Sequence, residues 1–185
     1  MTTGRPNRGR KHETQPAFEQ PLQLLAELHG RLQSQCGALE RLQHQLAGAG
    51  AGPSVAVAAT AGAVRRSIDR IAGPLHQDEE QDLFPALLES MAGSDAVCIR
   101  QMIEARAAEH REIEDRWLAV SQWLEAVEAG RAGLPRPGEV EALVSLLRSH
   151  LAQEDQELLP LAERLLSEDA LADIGDGMRR RHHAG

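Results

Sequence analysis

Two stretches decide how this chain is read: HQDEEQDLFP at residues 76–85 and HLAQEDQELLP at residues 150–160. Each opens on a His, carries acidic residues one helical turn later, and closes on Leu-Phe-Pro or Leu-Leu-Pro. His76 and Glu80 stand four residues apart, as do His150 and Glu154. On an α-helix that spacing puts both side chains of a pair on one face, about 6 Å apart along the axis.

Both stretches lie in helical surroundings. Leu, Ala, Glu, Gln and Arg dominate the chain, and these are helix formers. Aromatic residues are 2% of it and Tyr is absent, which argues against sheets. The expected fold class is all-α. A first helix is expected from about Glu19 to Ala47, where Leu22, Leu25, His29, Leu32, Cys36, Leu39 and Leu46 repeat at a spacing of three and four. GAGAGPS at residues 48–54 breaks it. A second is expected over Val55–Ser90, kinked or restarted at Gly73-Pro74 because Pro has no N–H for the ladder. After a turn at Met91–Ser94, a third is expected over Asp95–Ala129, striped by Ile103, His110, Ile113, Trp117, Val120, Leu124 and Val127. GRAGLPRPG at residues 130–138 separates it from a fourth over Glu139–Leu166, striped by Val140, Leu143, Leu147, His150, Glu154, Leu161 and Leu165. Four amphipathic helices with short links predict an up-down-up-down four-helix bundle. The expected organisation is a disordered tail at 1–16, the bundle at 17–166, and a C-terminal extension at 167–185. In that extension Ser167 can cap a short helix, and Arg179–His183 reads as a solvated tail.

Several function classes drop out. The net charge of −8 repels phosphate backbones, so nucleic acid is not an expected partner. No apolar run approaches the ~20 residues that span a bilayer, and a membrane is not expected either. Two cysteines do not make a disulfide framework, and the basic N-terminus lacks the apolar stretch of a signal peptide. The expected location is the cytoplasm.

The stripes hold His29, His76, His110 and His150, one per helix, and the last three have a Glu four residues later: Glu80, Glu114 and Glu154. One His on an apolar face is ordinarily a satisfied core residue. Four of them with three carboxylates form a core that needs positive charge at its centre, since unpaired buried charges are costly. Neutral imidazoles and bridging carboxylates suit a divalent metal. Seven such donors suit two ions better than one, and iron better than zinc. Glu79 and Asp155 stand beside Glu80 and Glu154 and are credible substitutes for them. Cys36, two turns beyond His29, reads as core, and His44 as an end-of-helix residue too far along the axis to join the site. His12, His182 and His183 fall in the tails. Ferritin-like bundles carry Glu three residues before His. The residues at that offset here are Ala26, Gly73, Ala107 and Leu147.

With His29, HQDEEQDLFP, EHREIE at residues 109–114 and HLAQEDQELLP in order, residues 17–166 resemble the hemerythrin-like, or HHE cation-binding, family. The resemblance implies a non-heme diiron centre with Glu80 and Glu154 bridging. It implies His29 and His76 on one iron, and His110, Glu114 and His150 on the other. Oxygen carriers of the family are similar but have a fifth His where this chain has Glu114, an anionic donor that favours Fe(III). The expected function is binding of O2 or a related small ligand such as NO or peroxide, for sensing, storage or scavenging. Two alternatives stand beside it. One is a diiron enzyme acting on peroxide or nitric oxide, or a protein for iron handling and iron-sulfur repair. The other is a bundle whose metal is structural.

Overall fold

A computed structural model describes residues 18–47, 52–90, 95–131 and 133–184. The tail at 1–16, the turn at Met91–Ser94 and His12 lie outside the described residues. Every regular element among the described residues is helical. The order is α1 (Pro21–Ala47), α2 (Val55–Asp78), a π-helical segment π1 (Glu79–Leu83), α3 (Phe84–Glu89), α4 (Asp95–Glu128), α5 (Glu139–Gln153), a second π-helical segment π2 (Glu154–Leu158), α6 (Leu159–Leu165) and α7 (Glu168–Ala184).

The long helices touch in a closed ring: α1 on α2, α2 on α4, α4 on α5, and α5 on α1. The stripes fill the space they enclose. Leu25, Leu32, Cys36 and Leu39 of α1 meet Ile113, Val120 and Leu124 of α4 and Leu143 and Leu147 of α5 in one buried cluster. Each large side chain removed from water there contributes about 1.5–3 kcal/mol. No described helix is long and apolar enough to cross a membrane.

Local chemistry sets the ends. Ser54 caps α2 by accepting the Val57 N–H at 3.3 Å. Ser167 caps α7 in the same way, accepting from Ala170 at 3.2 Å after an extended Leu166 breaks the chain. Gly130 and Gly138 turn the α4–α5 link with positive φ, a conformation open to Gly at little cost.

Two expectations need correction. Of the two outcomes expected at Gly73-Pro74, a kink or a restart, the restart does not occur: α2 runs through Pro74. Pro costs one ladder bond there, but Leu75 and His76 just beyond it are buried, and that burial favours keeping the segment helical. Nor is the end of the chain a solvated tail. α7 extends to Ala184, packs Ile174 and Met178 into the core, and lies against α1, α2 and π1.

Candidate metal centre

Each of the four long helical runs delivers one imidazole to the middle of the ring. His29 comes from α1, His76 from α2, His110 from α4 and His150 from α5, and all are buried. Two carboxylates join them, Glu79 and Glu154, neither with any exposed surface. These are the first residues of π1 and π2. In each segment a backbone N–H reaches back five residues, Phe84 to Glu79 and Leu159 to Glu154. Such wide turns concentrate at functional sites because they re-aim side chains that regular winding would send elsewhere.

The inner faces converge. His29 Nε2 lies 3.3 Å from Glu79 Oε1 and 3.5 Å from Glu154 Oε2. His110 Nε2 lies 3.3 Å from Glu79 Oε2 and 3.7 Å from Glu154 Oε1, and His150 Nε2 lies 3.2 Å from Glu154 Oε2. The His76 and His110 rings stack at 4.0 Å. Donor atoms of Glu79, His110, His150 and Glu154 all fall within 4.8 Å of one another, and so do those of His76, His110 and His150.

The outer faces are tied by a second set of carboxylates. His29 Nδ1 is 2.7 Å from Asp155, His110 Nδ1 is 2.7 Å from Glu80, and His150 Nδ1 is 2.8 Å from Glu109. Arg106 holds Glu109 in turn at 2.8 Å. An ionised carboxylate only accepts, so in each pair the Nδ1–H donates outward and Nε2 is left facing inward. Carboxylates behind metal-binding imidazoles do this in general: they fix the tautomer, set the ring orientation and raise basicity. His76 is the exception. Its nearest outer carboxylate, Glu114, is 3.6 Å away, and both ring nitrogens lack a hydrogen bond.

Among themselves these groups sort their protons by position. Burial opposes charge on every ring. On His29 the carboxylates of Glu79, Glu154 and Asp155 outweigh it and raise the ring to about 9. On His110 those of Glu154, Glu79 and Glu80 raise it to about 10. Burial, with His110 adding to it, pushes His76 down to about 3 and His150 to about 4. Burial and the neighbouring Glu79 lift Glu154 to about 7. Burial also works to raise Glu79, but His110 and His29 outweigh it and hold that carboxylate at about 2.

The family model of the hemerythrin HHE cation-binding domain matches residues 20–162. The chain belongs to that family. No curated protein and no solved structure matches it.

A hemerythrin-like domain binds metal cations, and the donor set here fits that role. The inward atoms without a hydrogen bond are Nε2 of His76, His110 and His150, Oε2 of Glu79 and both carboxylate oxygens of Glu154; Nδ1 of His76, on the outer side, has none either. Buried polar atoms are normally satisfied, and this many in one spot ask for a cation. The set mixes imidazole and carboxylate, which suits iron. No thiol enters it: Cys36 is core in α1, its thiol raised to about 11 by burial, and Cys98 lies exposed on α4.

Of the residues singled out by spacing, the fold brings His29, His76, His110, His150 and Glu154 together. It places Glu80 and Glu114 outside. Glu80 sits behind His110 with a 37% exposed side chain, and Glu114 is 62% exposed beside His76. Glu79, a substitute for Glu80 on the sequence, faces inward instead; Asp155 stands outside Glu154, behind His29. Glu109 was not expected at all. The missed signal is the closing proline. Aligned on Leu-Phe-Pro and Leu-Leu-Pro instead of on His, Glu79 falls opposite Glu154 and Glu80 opposite Asp155.

Proposed function

We propose that this chain is a non-heme diiron protein that binds O2 or a related small ligand such as NO or peroxide. Its frame would be an up-down-up-down four-helix bundle over residues 17–166. The observation that carries the reading is the set of inward-facing imidazole nitrogens and carboxylate oxygens with no hydrogen-bond partner. His29, His76, His110 and His150 would hold the metal from the sides, with Glu79 and Glu154 between them. We assign Glu80, Glu109 and Asp155 to the outer layer. Two irons bound there would supply reversible, redox-responsive binding of a small ligand.

The chain's own contribution is order and exclusion of water. Three imidazoles are held by a carboxylate behind them, so their Nε2 atoms are aimed at the centre before any ion arrives. His76 is not held in this way, and a cavity of about 340 Å3 reaches it. Ile68, Ala72, Ile113, Leu143 and Leu147 line that cavity. Apolar walls admit a small uncharged molecule, and Glu114 and Asp69 at the rim repel anions. The free thiols Cys36 and Cys98 suit a reducing compartment, consistent with the cytoplasm.

The test is ligand response. Protein loaded anaerobically with Fe(II) should change its visible spectrum on exposure to O2 or NO, and the O2 change should reverse on deoxygenation. A loaded protein whose spectrum ignores both gases would sink the ligand-binding reading.

A further inference from the structure

We propose that Arg181 and His182, at the end of α7, are positioning residues for the metal centre. Through Asp78 and Asp82 they fix the wide turn that sends Glu79 into the centre and Glu80 against His110. The proposal rests on the metal-centre reading above, and α7 lies beyond the matched family region, which ends at residue 162.

Asp78, Glu79 and Glu80 are consecutive, yet each carboxylate goes to a different partner. Glu79 has no exposed surface and faces the imidazoles; Glu80 accepts from His110 at 2.7 Å. Asp78 is equally buried and points to α7, where it accepts from Arg181 Nε and His182 Nε2, each at 2.8 Å. Arg181 also spans π1, donating to Gln81 at 3.3 Å and binding the Asp82 carboxylate. One guanidinium therefore holds the residue before π1 and two residues within it.

The approach of α7 is built for this contact. Gly177 faces Asp82 so closely that a Cβ would run into its carboxylate, and a Cβ on Gly175 would strike the carbonyl of Phe18. Ile174 and Met178 anchor the same face in the core.

The physical need is clear. A buried carboxylate without a partner is strongly disfavoured, so Asp78 stays inside only while α7 is docked. Regular α winding is the usual state of a helix, and a π turn persists where its surroundings hold it. Loss of the extra residue in the turn rotates the helix beyond it by about 100° relative to the helix before it, which would take Glu79 or Glu80 off its target. The second motif has no such clamp among the described residues: Gln153, opposite Asp78 in the alignment, donates to Ser149 at 3.2 Å on the surface.

The experiment uses the full chain loaded with Fe(II). It measures the rate at which a chelator removes iron, and amide hydrogen exchange over residues 79–83. Arg181→Ala and His182→Ala should each release iron faster, the first by about tenfold, the scale of losing a metal site's outer partner. Both should raise exchange in π1. Arg181→Lys should recover part of the loss, and Arg180→Ala, on the exposed side of α7, should match wild type. Should Arg181→Ala fail to fold, the double variant Asp78→Asn with Arg181→Ala removes the buried carboxylate charge together with its partner. It too should release iron faster. A lower melting temperature with release and exchange at wild-type values would overturn the proposal and leave α7 a packing element. A wild-type chain that takes up no metal would overturn the diiron reading, and this one with it.

Discussion

In the first half of the molecule, residues 18–90, His29 leans on Asp155 of the second half; in the second half, residues 95–166, His110 leans on Glu80 of the first. Glu79 and Glu154 open matching π turns, and both face the buried imidazoles. The correspondence then fails in two places. His150 has Glu109 behind it, supplied by the residue before His110; the residue before His29 is Leu28, and His76 has no hydrogen-bonded partner. Asp78 is clamped by α7, whereas Gln153 is not. The matched pairs are what a metal needs from both sides. The unmatched ones mark one half as fixed and the other as open at the His76 cavity and dependent on α7.

The largest effect expected is on the inner carboxylates. Glu79→Gln and Glu154→Gln should each cost most of the bound iron, to a similar extent. Metal analysis decides it; near-complete retention in Glu79→Gln with loss in Glu80→Gln would reverse the inner and outer assignment.

The outer layer should matter less, and unevenly. Asp155→Asn, Glu80→Gln and Glu109→Gln should weaken metal affinity by about 10–100-fold each. Glu114→Gln should change it by less than about fivefold, the upper end of an exposed ion pair's worth. Competition with a calibrated chelator measures all four. Equal losses across them would mean that His76 is held like the others.

The protein frame should answer symmetrically. Leu32 and Ile113 stand three residues beyond His29 and His110, at 0% and 2% exposure. Replacing either by Ala should lower stability by about 2–5 kcal/mol, read by denaturant unfolding.

The subtlest comparison is in protons. In chelated protein at neutral pH, His29 and His110 should be charged, held up to about 9 and about 10, and His76 and His150 neutral, at about 3 and about 4. Histidine NMR titration checks the pattern. Metal must displace the protons on His29, His110 and Glu154, the last near 7. Apparent affinity should therefore rise with pH from about 7 to about 10, as sites that release protons on binding do. A fall over that range would contradict the assignment.

Much of this was legible in the chain. The helix limits follow from apolar stripes and from Gly and Pro breaks, and α1, α4 and α5 start within two residues of where those signals put them. The four imidazoles were legible because a His inside an apolar stripe must be buried. The inner carboxylate of the first half was not, because counting four residues from His76 assumes regular winding up to the site, and π1 begins at the third. Arg181 and His182 read as tail because charged runs are usually solvated. Their partner Asp78 is a hundred residues away, and only the docked helix brings them together.

The most direct test is iron per chain after anaerobic loading with Fe(II) and removal of excess metal. The inward donor set predicts about two irons per chain, as two-metal sites with bridging carboxylates hold. One ion or none would contradict the diiron centre and return the six buried groups to a structural role.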